Sequence, residues 1–362
     1  MILVNSIQRK AILWFFLSTL AIAFFFSPTY AQGNSAKTGS LIPRKTQWAD
    51  LKDHPQDSHT YNEFWTYHFL LNDSLQLMVN FSRANMGLFK DPVCGADLAI
   101  KGFKGENYTV AREYPLKKFI WNHQEQGLQV HPQIWFKGAL PQQHELYFNT
   151  TKNKVTSTVH LTFEEIIPGL VLGKGEHKIK GEKIGVLLHI ARARVRGYIA
   201  LNGDTLQVEG FGTLDHTYQS TLGTKLAERI FRYQKFSYPA EIAYWIQTKH
   251  DNKLLGFQVS ESSPGQFNLL IPQKWEYQKE KEVSGVSLPQ DISLVLKIAP
   301  NGESKNYRVL LEHPDYSHSV LAEFKGFTKS AIKTFMGGEL IFLRGKGSLN
   351  NQKIHYQYSG IR

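Results

Sequence analysis

Cysteine is nearly missing from this chain of 362 residues, with Cys94 standing alone. No intramolecular disulfide can form, so the fold rests on its buried core. Signature loops are missing as well. No Gly-x-Ser-x-Gly elbow occurs, and Gly173-Lys174-Gly175 lacks the Lys-Ser/Thr of a phosphate loop, which leaves it as a turn. Histidine is plentiful at 14, yet no His-x-His or His-x-x-x-His pair carries a carboxylate partner at metal-ligand spacing. No metal and no cofactor is therefore expected. Cys94, beside Pro92 and Gly95 with no basic neighbour, reads as an inert thiol. Long helical periodicity is also scarce, with short candidates only at 222–230 and 329–336.

One long apolar run is present, at the start. Arg9-Lys10 precedes sixteen uncharged residues at 11–26, Ser27-Pro28 breaks the run, and Thr29-Tyr30-Ala31 offers a cleavage site. The run is shorter than the roughly 20 residues of a spanning helix. It reads as a cleaved secretory signal over 1–31, and the expected location is periplasmic or extracellular. The formal charge is +11, of which Arg9 and Lys10 carry two, leaving +9 on the processed chain. The excess is dispersed in short clusters such as 152–154, 192–196 and 274–281. No basic element interleaved with aromatics appears, so nucleic acid is not an expected partner. Contact with an anionic membrane surface suits the charge, as does a plain solvated surface. Sequons at Asn72, Asn80, Asn107 and Asn149 acquire meaning only in a eukaryotic secretory route. Nothing in the sequence fixes the oligomeric state.

The rest reads as strands. Phe64-Trp-Thr-Tyr-His-Phe-Leu-Leu, a turn at Asn72-Asp73-Ser74, then Leu75-Gln-Leu-Met-Val-Asn-Phe-Ser make a hairpin. Asn202-Gly203 between two alternating runs marks another. Strands recur about every 8–12 residues, as sandwiches and barrels require. Two sets of eight to ten exceed one closed barrel, and closure removes exposed edges. The expected architecture is all-β, two tandem antiparallel barrels: a polar N-terminal arm over 32–60 containing His54 and His59, a first barrel over 61–221, and a second over 222–362.

Residues 210–220, GFGTLDHTYQS, form the most specific stretch. Two glycines end a strand and allow a bend or a close approach. Asp215 and His216 follow, and successive side chains alternate faces, so the pair points two ways. A buried Asp215 could act as an acid if an apolar pocket raised its pKa, with His216 holding a proton or orienting water. A turn-capping aspartate is the plainer reading.

Together with Trp65, Tyr67 and Phe69 and the run Ala193-Arg194-Val195-Arg196-Gly197-Tyr198, the Gly-x-Gly-x-x-Asp-His signature resembles the lipocalin-like superfamily. That group holds carotenoid 1,2-hydratases, AttH-type proteins and fungal survival-factor proteins. The resemblance implies two calycin-type barrels. In the hydratase and cyclase branches it implies an acid, here Asp215, that protonates a double bond of a long hydrophobic substrate. In the survival-factor branch it implies lipid binding without catalysis. Thr217-Tyr218-Gln219 stands where the enzymes carry Asn-Trp-Gly, which tilts the expectation towards binding. The expected function is thus a secreted module that holds a lipid or isoprenoid, with Asp215 and His216 as site residues and Trp65, Tyr67 and Tyr218 lining the ligand. The alternative is a hydratase or cyclase acting through Asp215.

Overall fold

The structure is a computed structural model that describes residues 42–362 except 56–59, 86, 88–90, 250, 320 and 323–325. The signal read at 1–31 and residues 32–41 and 56–59 of the arm, His59 among them, lie outside the described residues.

Alternation of large apolar and polar residues builds the first half. Trp65, Tyr67, Phe69 and Leu71 on the strand Tyr61–Leu71 all point into one core. Asn72 and Asp73 adopt positive φ of 47° and 60° and return the chain as Leu75–Asn85. Asn202 and Gly203 are likewise both positive, at 52° and 90°, and join Glu182–Leu201 to Asp204–Gln219. A right-handed strand pair needs that turn geometry, which is why Asn-Gly marks it. The twelve-stranded antiparallel sheet then runs in spatial order 106–115, 93–103, 75–85, 61–71, 204–219, 182–201, 155–168, 144–152, 134–137, 127–131, 120–122, with 176–179 beside 182–201. It curls around a single cluster rich in Phe, Trp, Leu and Val. Its two end strands share no hydrogen bonds among the described residues.

The second half is a closed eight-stranded antiparallel barrel: 304–311, 286–298, 266–283, 254–263, 241–248, 227–235, 352–361 and 340–349, sealed by pairing of Val309–Leu311 with 347–349. Closure requires a bare backbone at Gly347, where a Cβ would lie 2.3 Å from the Leu310 carbonyl oxygen. The helix expected at 222–230 shrinks to one turn, Gly223–Leu226, because Ala227–Lys235 is paired on both sides within this barrel. Ladder bonds on two edges outweigh a weak local preference. The other helical candidate lies within Gly326–Met336.

Two features of the packing bear on the site. Where it is described, the arm is anchored to the first half. Pro43–Lys45 pairs with Leu170–Leu172, Trp48 stacks on Trp121 at 5.1 Å, and Leu51 is fully buried in the first core. The halves also pack closely. Ile184, Val186 and Leu188 of the first meet Ile242, Ile246 and Phe257 of the second in one apolar cluster.

Candidate functional site at the seam

The strand Asp204–Gln219 lies between Tyr61–Leu71 and Glu182–Leu201. Alternation along it sends His216 inward with Trp65 and Tyr218, and sends Asp215 outward with Thr213 and His68, towards the second barrel.

On the inner face, His216 is fully buried and stacks on Trp65 at 4.7 Å. Its Nε2 lies 2.8 Å from Glu63 Oε1 and its Nδ1 lies 3.1 Å from His189 Nε2. Glu63 also accepts from the His54 backbone N–H at 2.8 Å and from the Tyr61 hydroxyl. Burial alone would raise the Glu63 carboxyl, but hydrogen bonds from His216 and His54 outweigh it and hold the pKa at about 2. An ionised Glu63 can only accept, so His216 carries its proton on Nε2 and takes one from His189 at Nδ1. Burial lowers both imidazoles below their ordinary range, so both are neutral near pH 7. Tyr218 donates to Glu176 at 2.9 Å and stacks on His54 at 4.2 Å. Tyr67 sits deeper, its hydroxyl 2.7 Å from His144 Nε2. Trp65, Tyr67 and Tyr218 are therefore brought to the same interior as His216, but as filled core among the largest fully buried side chains.

His54, Glu63 and His216 place three donor atoms within 4.8 Å of one another, the spacing of a small divalent-cation site. His216 and the Tyr61 hydroxyl already use the Glu63 oxygens. An ion would have to displace those bonds.

On the outer face, Asp215 Oδ2 accepts from Arg232 Nε at 2.8 Å and lies 3.2 Å from His68 Nε2. Burial would raise the Asp215 carboxyl, but the Arg232 charge outweighs it and the pKa is lowered. Arg232 is satisfied on every nitrogen: Nη2 donates to Thr213 Oγ1 at 2.9 Å and Nη1 to Gln234. Gln357 of the second barrel donates to His68 Nδ1 at 3.1 Å. Burial holds His68 at about 4, so its ring is neutral near pH 7.

Beside this network lies a cavity of about 60 Å³, walled by His68, Gln76 and Met78 of the first half and Arg232, Arg344 and Gln357 of the second. That is far below the few hundred Å³ of an ordinary ligand pocket, and room for little more than one small polar group. It adjoins the outward face, not His216. A larger recess of about 540 Å³ is bordered by Ile166, Ile167, Arg192 and Phe211. Phe211 is the cross-strand partner of Leu70, which lines the smaller cavity, so the two recesses are neighbours on one sheet surface.

Sequence reasoning passed over Glu63, His68, His189 and Arg232. A signal existed for two of them: Glu63 is a lone carboxylate on an otherwise aromatic stripe, and Arg232 alternates with the core residues Phe231 and Tyr233. Cys94 is buried, and burial pushes its thiol up to about 11, out of the nucleophilic range.

No protein-family model matches the chain, and no curated protein matches it by sequence. Solved structures do match in fold. An AttH-like protein of Nitrosomonas europaea superposes with a TM-score of 0.58 at 13% identity, over 86% of this chain and 96% of that one. CghA crystallised with Sch210972 superposes with a TM-score of 0.58 at 12% identity, over 84% of this chain and 89% of that one. CghA alone gives 0.51 at 13% identity, over 83% and 88%. The fold is lipocalin-like.

Proposed function

We propose that this protein binds a small amphipathic molecule at the seam between its two halves, polar end in the 60 Å³ cavity and apolar body over Leu70 and Phe211 towards the wider recess. One observation carries this reading: the cavity is built jointly by both halves, whereas the first interior is filled with aromatic rings. The ligand is thus expected between the barrels. A protein of the same fold, CghA, has been crystallised with a small molecule. Export through the N-terminal signal belongs to this proposal.

The alternative, alkene protonation by Asp215, requires a neutral carboxyl that can give up a proton. An Asp215 held ionised against Arg232 is an acceptor, so the geometry supports binding better than that chemistry.

The test is native mass spectrometry of protein purified from its own secretory compartment, beside Ala99→Trp, which fills the cavity from a lining position. A bound mass of small-molecule size that Ala99→Trp removes, with circular dichroism unchanged, is the expected result. Equal retention by both proteins would refute the seam as the binding place.

A further inference from the structure

Three cations line the seam cavity, Lys101, Arg232 and Arg344, and no aspartate or glutamate does. Two of the three are neutralised from outside it: Lys101 pairs with Asp315, and Arg232 with Asp215. Arg344 is different. Its Nη2 donates to the thioether of Met78 at 3.0 Å, and its guanidinium lies 5.3 Å over the Tyr316 ring. Among the described residues no carboxylate lies within 4.0 Å of it. A thioether is a weak acceptor, and a desolvated charge without a counter-ion is costly. The neighbouring imidazoles do not change this balance. Burial lowers both His68 and His355, and Asp315, bonded to Lys101, also attracts Arg344, so these two cations share one carboxylate and leave one positive charge in excess near pH 7.

We propose that Arg344 is the anion-recognising residue of this cavity, and that the molecule taken at the seam bears a carboxylate. The inference rests on the seam as a ligand site and adds the chemical class of the ligand. A planar carboxylate matches the guanidinium fork. Its single charge matches the one positive charge in excess, and its size suits a cavity of about 60 Å³.

Calorimetric titration with decanoate and with decan-1-ol separates charge from chain. Wild-type protein is expected to bind decanoate on the order of tenfold or more tightly than the alcohol, the scale of one charged hydrogen bond. Arg344→Gln abolishes that preference and Arg344→Lys keeps part of it. A second readout needs no ligand: removing an uncompensated charge leaves the thermal midpoint of Arg344→Gln equal to or above wild type. Equal binding of the two probes by wild type, or a strong loss of midpoint in Arg344→Gln, overturns the role of Arg344 while leaving a neutral seam ligand standing. Binding of neither probe, with no mass lost in Ala99→Trp, overturns the seam site as well.

Discussion

Removing the Asp215 carboxylate should cost more than removing the whole ion pair. Asp215 and Arg232 are each about 5% exposed or less, and their 2.8 Å bond joins the first sheet to the second barrel. Asp215→Ala leaves a buried guanidinium with only the neutral partners Thr213 and Gln234. Breaking a buried pair from one side typically costs about 3–5 kcal/mol, because one charge stays desolvated and unpaired. Arg232→Met strands the Asp215 carboxylate in the same way, with a neutral His68 as its remaining neighbour. The double variant Asp215→Ala/Arg232→Met strands nothing and should lose far less than the two single losses together, giving a coupling energy of at least about 2 kcal/mol. Guanidinium unfolding followed by tryptophan fluorescence measures this, provided the m-value stays constant. Additivity within about 0.5 kcal/mol, or single losses below about 1 kcal/mol as for an exposed pair, would refute the view that this aspartate is a clamp between the halves.

Two further outcomes follow from the same contacts. His68 and His144 have folded pKa values of about 4, against 6.5 unfolded, because burial disfavours their charged forms. The unfolded chain takes up those protons first, so their stabilisation is complete above pH 6.5 and is lost as pH falls towards 4, by on the order of 3 kcal/mol each. Glu63, held at about 2, keeps its contribution down to about pH 4.5 and loses it between 4.5 and 2. Chemical denaturation at pH 7.5, 6 and 4.5 should show the decline, and a flat profile would contradict it. Gly185→Ala would place a methyl 2.2 Å from the Tyr218 ring and push its hydroxyl off Glu176. Overpacking of this kind costs about 1–3 kcal/mol. An unchanged thermal midpoint would show that the ring can yield.

Local chemistry was enough for the strands, the Asn72-Asp73 and Asn202-Gly203 turns, and the opposite aim of Asp215 and His216. Each depends on alternation or on a backbone angle set within a few residues. The partners of that pair were not legible. Glu63 reaches His216 across 153 positions, and Arg232 reaches Asp215 from the other barrel. Strand register and barrel docking decide both, and no local pattern encodes them. Whether the first barrel would be hollow was equally out of reach. Inward aromatics can line a cavity or fill it, and only their packing in three dimensions turned Trp65, Tyr67 and Tyr218 into solid core and moved the open space to the seam.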